Sequence, residues 1–239
     1  MSNSQGSTQI IERLQGGLIL SCQAEGDSPF NQPEYIALFA RAGQMGGARG
    51  IRACGVENIR AIKQVTAIPI IGICKSRYAD GSVLITGDFA DVEGLCDAGA
   101  DIIAMDATIR KRPNGLNGAE FLRQCKARCQ LPLMADVSNI GEGIAAAQAG
   151  ADIVAGTLAG YTKPDQTQPG DDPDWQLLAE LVKAVEIPVI MEGRVWTPAK
   201  ACRALGMGAF AVVVGTAITR PIDIVRRFAD QMETVDEIK

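Results

Sequence analysis

Gly99-Ala100-Asp101-Ile102-Ile103, Leu131-Pro132-Leu133-Met134 and Gly150-Ala151-Asp152-Ile153-Val154 follow one another down the middle of the chain and decide its architecture. Two phrases alternate in them. One is a Gly-Ala pair leading into an apolar run, and the other is a proline set between apolar residues and leading into a second run. The first recurs at Gly47-Ala48 and Gly208-Ala209-Phe210-Ala211-Val212, the second at Ile68-Pro69-Ile70-Ile71 and Ile187-Pro188-Val189-Ile190. In chain order they interleave strictly. A proline opening a strand forfeits no ladder hydrogen bond, and small residues let a helix turn tightly into a strand. Near-continuous apolar runs suit strands buried on both faces. Seven such starts, with an eighth at Gly17-Leu18-Ile19-Leu20-Ser21, predict eight parallel strands alternating with helices. That is an α/β fold, a single-domain (β/α)8 TIM barrel.

The length of 239 residues suits one barrel of about 250 residues. Residues 10–232 are expected to form it, with a flexible tail over 1–9 and a second tail over 233–239. A hydrophobic share of 47% and a charged share of 21% are ordinary for a globular chain. The net charge of -5 and the lack of any cationic run beyond Arg110-Lys111-Arg112 argue against nucleic acid as a partner. No apolar stretch approaches the ~18 residues of a membrane span, and Met1 to Gln9 lacks the layout of a signal peptide. Seven scattered cysteines without a C-x-x-C pair read as structural thiols of a reduced, cytoplasmic protein, with Cys125 and Cys129 as potential neighbours on a helix. The chain has no histidine, so the commonest general base and the commonest transition-metal ligand are both missing. No metal site built on histidine is therefore open to the chain.

Helix signals fall between the strands. Pro33 opens a helix running through Arg41, Asp174 caps Trp175 to Val185, Thr197 caps a helix begun by Pro198, and Pro221 opens a last helix through Phe228. Two longer loops, Ser76 to Asp88 and Thr162 to Asp174, follow the third and sixth strands. Both therefore lie on the face where barrel active sites form and are candidate lids.

Side chains of a strand alternate in direction, so counting tests which polar residues share a face. Lys75 lies six residues after Pro69, Asp136 four after Pro132 and Glu192 four after Pro188. Arg52 lies four after Ala48, while Asp106, Thr157 and Gly215 lie six after Ala100, Ala151 and Ala209. Every count is even. Within the third, fifth and seventh strands the polar residues therefore share a direction, and likewise within the even-numbered strands, at the expected barrel mouth. Burying an unpaired charge is costly, so the set reads as an active site or as an ion-pair network closing the barrel top. Glycines and cations cluster after the last two strands, at Gly193 and Arg194 and at Gly215, Thr216 and Arg220, ahead of Pro221. The loops after strands 7 and 8 are the usual phosphate-binding site of this fold.

Leu20-Ser21-Cys22-Gln23-Ala24, Gly50-Ile51-Arg52, Ile71-Gly72-Ile73-Cys74-Lys75, Asp106-Ala107-Thr108-Ile109-Arg110, Met134-Ala135-Asp136-Val137-Ser138, Leu158-Ala159-Gly160-Tyr161, Glu192-Gly193-Arg194 and Val214-Gly215-Thr216-Ala217-Ile218-Thr219-Arg220 together resemble the N-acetylmannosamine-6-phosphate 2-epimerase family. The resemblance covers nearly the whole chain after Gly16. It implies an isomerase of amino-sugar and sialic acid catabolism that interconverts N-acetylmannosamine 6-phosphate and N-acetylglucosamine 6-phosphate without a cofactor. Lys75 and Glu192 take the family's proton-transfer positions. Gln23, Arg52, Asp136, Tyr161 and Arg220 take positions of substrate contact, with phosphate held by Gly193, Arg194, Gly215, Thr216 and Arg220. For Glu192 to begin as the acid it needs partial burial. The resemblance and the apolar helix faces also point to a homodimer. Where the family usually reads Ile-Thr-Pro-Thr, this chain has Ile85-Thr86-Gly87-Asp88, which would loosen the loop and bring a negative charge near the sugar. Two other classes fit parts of the pattern. One is an aldolase using Lys75 as a Schiff-base nucleophile, and the other is a non-catalytic sugar-phosphate sensor.

Overall fold

Each of the three prolines of the repeating phrase stands immediately before a strand in the computed structural model, which describes residues 2–24, 26–79, 82–162 and 172–233. Their carbonyls accept ladder hydrogen bonds from the neighbouring strand: Pro69 from Ile51, Pro132 from Ile103 and Pro188 from Val154, at 2.9 to 3.0 Å. The missing proline N–H therefore costs the sheet nothing. The glycines of the four Gly-Ala phrases all adopt positive φ, from 91° to 100°. This left-handed turn lets each preceding helix reverse directly into its strand.

The first half runs α1 (Ser2–Glu12), β1 (Leu18–Cys22), α2 (Pro33–Met45), β2 (Gly50–Cys54), α3 (Val56–Lys63), β3 (Ile70–Ile73), β4 (Lys75–Arg77), β5 (Val83–Ile85) and α4 (Phe89–Asp97). It continues through β6 (Ile102–Asp106), α5 (Gly118–Lys126), β7 (Leu133–Asp136), α6 (Ile140–Gln148), β8 (Ile153–Ala155), α7 (Trp175–Ala184), β9 (Val189–Glu192), α8 (Pro198–Gly206), β10 (Ala211–Val214), α9 (Thr216–Thr219) and α10 (Pro221–Glu233). Eight of the strands close into a parallel barrel in the order β1-β10-β9-β8-β7-β6-β3-β2. The expected caps form: the side chains of Asp174 and Thr197 accept from the backbone of Leu177 and Lys200. No helix among the described residues is long and apolar enough to cross a membrane.

Two apolar layers follow from the strand alternation. One lies between the barrel and its helices, around Ile51, Ile103, Phe121, Leu181 and Val212. The other fills the barrel interior with Ile19, Ile71, Ile102, Met134, Ile153 and Ile190, and is plugged at the amino-terminal end by the fully buried Leu14. Leu14 Cδ2 occupies the space where a Cβ on Gly50 would fall, 2.5 Å away, so the first residue of β2 must stay small.

Three readings need revision. A helix, α1, covers the stretch expected to be an amino-terminal tail. The loop from Ser76 to Asp88 contains an antiparallel two-stranded ribbon, in which Lys75 pairs with Ile85 and Arg77 with Val83. Lys75 therefore belongs to this ribbon and not to a barrel strand. Cys129 lies just after α5, and its Sγ is 3.6 Å from that of Cys96 on α4. All seven cysteines are free thiols. Residues 163–171 of the second loop and 234–239 of the carboxyl-terminal tail lie outside the described residues.

Candidate active site

The even spacing of polar residues becomes a single cluster at the carboxyl-terminal end of the barrel. Arg52 on β2 is 1% exposed and reaches across the interior to Asp136 at the end of β7. Its Nη2 donates to Asp136 Oδ2 at 2.6 Å and its Nη1 to Oδ1 at 3.1 Å. The same Nη1 lies 3.2 Å from Glu192 Oε2 at the end of β9. Thr157, just beyond β8, donates from one hydroxyl towards Asp136 Oδ1 at 2.6 Å and Glu192 Oε2 at 3.2 Å. A two-pronged guanidinium–carboxylate pair fixes both partners in orientation as well as in charge. The cluster thus combines both sequence readings: an ion-pair network that is also the floor of a site.

Above it opens a cavity of about 380 Å³. Gln23, Arg52, Lys75, Tyr161, Glu192, Gly193, Arg194, Gly215, Thr216 and Arg220 all line it, so ten of the expected site residues converge there. Among the described residues its charged lining is four cations, Arg52, Lys75, Arg194 and Arg220, against the carboxylate of Glu192. Such a lining suits an anionic small molecule despite the net negative charge of the chain. The strands leading to Lys75 and to Glu192, β3 and β9, stand four places apart in the closed order of eight and so face each other across the barrel.

Burial pushes the Glu192 carboxyl up to about 7, and the nearby Asp136 adds to that push. Arg52, the Thr157 hydroxyl and Lys75 pull the other way without overcoming burial. Burial alone would lower the Arg52 pKa, but Asp136 and Glu192 raise it above its ordinary value, so the guanidinium stays charged. The burial that the sequence requires of Glu192 is therefore present.

Three expected residues play different parts from those the sequence suggested. Asp136 is fully buried and does not line the cavity; both its oxygens are taken by Arg52 and Thr157 beneath it. Asp106 faces another network, accepting from the Thr108 backbone N–H and hydroxyl and pairing with Arg110. Arg194 lines the cavity, but its Nε and Nη1 donate to the carbonyls of Asp172 and Ala159 at 2.7 and 3.1 Å. Its backbone takes a positive φ of 58°, directly after Gly193 at 107°. The departure at Gly87-Asp88 also resolves differently. Asp88 turns its carboxylate to the first turn of α4, accepting from the Asp91 N–H at 2.9 Å, and does not line the cavity.

Residues 36–234 match the family described as "Putative N-acetylmannosamine-6-phosphate epimerase". The chain belongs to this epimerase family. A relative from Caldanaerobacter subterraneus subsp. tengcongensis, named "Putative N-acetylmannosamine-6-phosphate 2-epimerase", is 46% identical over 220 residues, covering 92% of each chain. One of the same name from Clostridium perfringens (strain SM101) is 44% identical over 221 residues, covering 92% of this chain and 99% of its own. A solved structure of the N-acetylmannosamine-6-phosphate 2-epimerase from Clostridium perfringens superposes with a TM-score of 0.86 at 44% identity, over 92% of this chain and 95% of that one. A thiamine phosphate pyrophosphorylase from Pyrococcus furiosus, at 18% identity and a TM-score of 0.59, shares the fold.

The epimerase cavity also contains residues that the sequence did not single out. Ser21 accepts from the Gln23 amide at 2.8 Å and so aims it. Trp196 lines the wall beside Arg194, with the Arg227 guanidinium over its ring at 4.4 Å. Strand parity could have marked Ser21, two residues after the interior-facing Ile19 on β1, whereas Trp196 lies beyond β9, where parity no longer applies.

A Glu192 carboxyl titrating near neutrality makes a signed prediction. Between the ordinary range for glutamate, about 4.3, and about 7, the folded protein binds this proton more tightly than the unfolded chain does. Its contribution to stability is therefore present at the acid end and lost as pH rises through about 7. Urea melts at pH 5 and pH 8 should show the parent losing stability relative to Glu192→Gln over that interval. Parallel pH dependences in the two proteins would contradict the assignment.

Proposed function

We propose that the protein is an isomerase that epimerises N-acetylmannosamine 6-phosphate at C2 to N-acetylglucosamine 6-phosphate, reversibly and by proton transfer. The observation that carries this reading is the approach of Lys75 and Glu192 to one cavity from opposite sides of the barrel, with Glu192 near the midpoint of its titration at neutral pH. The relatives' names support the substrate and reaction type.

The C2 hydrogen becomes acidic only when C1 is an aldehyde, so the open-chain sugar is the reacting form. One of the pair removes that proton, and the electron pair delocalises into C1–O as an enolate. The other member returns a proton to the opposite face, and the carbonyl re-forms. Matching a catalytic group's pKa to the working pH maximises both its availability and its proton-transfer driving force, which fits a glutamate near 7. Arg52 holds Glu192 through Nη1 while its other contacts lock Asp136 beneath. In this reading Gln23, Arg52 and Tyr161 meet the sugar, and Asp136 acts by fixing Arg52. The phosphate lies between Gly193 and the Gly215-Thr216 turn, with Arg220 supplying a charge-assisted contact.

The same reading includes a homodimer built on α10. Ile222, Val225, Phe228 and Met232 recur on one face of this helix and are 45%, 66%, 68% and 70% exposed, and none of its residues is buried. An apolar helix face of this kind calls for a partner surface. Sedimentation should show a dimer, and Phe228→Glu should shift it to monomer. A monomeric parent would end this part of the proposal.

Lys75→Ala and Glu192→Ala should each lower epimerisation by at least ~10²-fold, the lower range for loss of general acid–base catalysis, while phosphosugar binding survives. Arg220→Ala should instead raise KM steeply, by roughly tenfold or more for loss of a charge-assisted contact. Near-normal turnover in either of the first two variants would overturn the two-residue assignment. Equal kcat/KM for phosphorylated and free sugars would overturn the phosphate site.

A further inference from the structure

Lys75 does not stand on a rigid barrel strand. It opens the β4–β5 ribbon, one residue past Cys74, so its direction depends on how that ribbon is held. The next residue, Ser76, turns the opposite way, towards α4. Its hydroxyl donates to Asp91 Oδ2, the same oxygen that accepts the Gly87 N–H at 2.9 Å. The Gly87 N–H also lies 2.9 Å from Ser76 Oγ. One carboxylate oxygen therefore joins the arm carrying Lys75 to the arm that returns from the ribbon.

Asp91 is itself well anchored. It lies in the first turn of α4, where a negative charge is favoured by the helix dipole, and its own N–H donates to Asp88 Oδ1. The rest of the ribbon is tied from behind. The Thr86 hydroxyl donates to the Ala104 carbonyl at 2.6 Å and accepts from the Cys74 N–H at 3.2 Å, and Arg110 Nη1 donates to the Val83 carbonyl at 3.2 Å. At Gly87 there is no room for a side chain, since a Cβ would lie 2.0 Å from Tyr78 Oη and 3.0 Å from Ser76 Cβ.

We propose that Asp91 is a positioning residue for the epimerisation, acting through Ser76 and Gly87 to keep the Lys75 amine aligned on C2. The proposal rests on the role given to Lys75 above. Small misplacements of a catalytic group cost up to ~10²-fold in rate, and a lost hydrogen bond costs several-fold. Asp91→Ala should therefore lower kcat by roughly tenfold or more, leave KM within about threefold and, with the two C2-deuterated epimers assayed in turn, enlarge the primary isotope effect for the epimer whose C2 hydrogen Lys75 removes, because that proton transfer becomes slower relative to other steps. Asp91→Asn retains an oxygen that accepts both bonds and should return kcat to within about threefold of the parent. A merely structural residue would not change the isotope effect. Should Asp91→Ala fail to fold, Ser76→Ala removes one hydroxyl only and should show a several-fold loss of kcat with the same larger isotope effect. Unchanged kcat and isotope effect in these variants, while Lys75→Ala is inactive, would overturn the role of Asp91 alone. Near-parent turnover in Lys75→Ala would overturn both this role and the reading beneath it.

Discussion

A guanidinium held at 1% exposure inside a barrel must have its charge balanced where it lies, and the mouth of this barrel is arranged around that requirement. Arg52 meets both oxygens of Asp136 and one of Glu192, so three strands, β2, β7 and β9, are tied at their active ends by one cation. The two carboxylates differ in consequence. Asp136 is fully engaged and out of reach of the cavity, while Glu192 shares only one guanidinium nitrogen and remains at the cavity wall. Burial, only partly offset by Arg52, leaves the Glu192 proton balanced near pH 7.

The opposing group is supported by different means. Glu192 ends a barrel strand, whereas Lys75 projects from a two-stranded ribbon whose arms meet at Asp91. The barrel thus fixes one side of the site through buried charge, and the ribbon fixes the other through hydrogen bonds to the start of a helix. The cations that line the cavity, Arg220 among them, supply attraction for an anion without disturbing this division.

Much of this was readable from the sequence because a closed parallel barrel imposes local rules. Proline before a strand, glycine in a left-handed turn after a helix, and even spacing to the strand end follow from backbone geometry alone, and Arg52, Thr157 and Glu192 met as the counts required. The count also found Asp136, but pairing is a tertiary fact: nothing in Met134-Ala135-Asp136 says that the carboxylate is covered by Arg52, 84 positions earlier. Arg194 lines the cavity, but nothing in Glu192-Gly193-Arg194 says that two of its donors meet carbonyls of a neighbouring loop. The ribbon is not legible in the sequence because its arms are only three residues each, too short for an alternating pattern to stand out. Asp88, which in the sequence stands as a negative charge of the loop, is the amino-terminal cap of α4.

The claim at the centre of this account is that the C2 hydrogen leaves to the protein and is replaced from it. Epimerisation of N-acetylmannosamine 6-phosphate in heavy water, followed by proton NMR at C2, tests it directly. N-acetylglucosamine 6-phosphate should form with deuterium at C2, and no epimerised product should appear when Lys75→Ala replaces the parent. Product that keeps its original C2 hydrogen and takes up no label would contradict it.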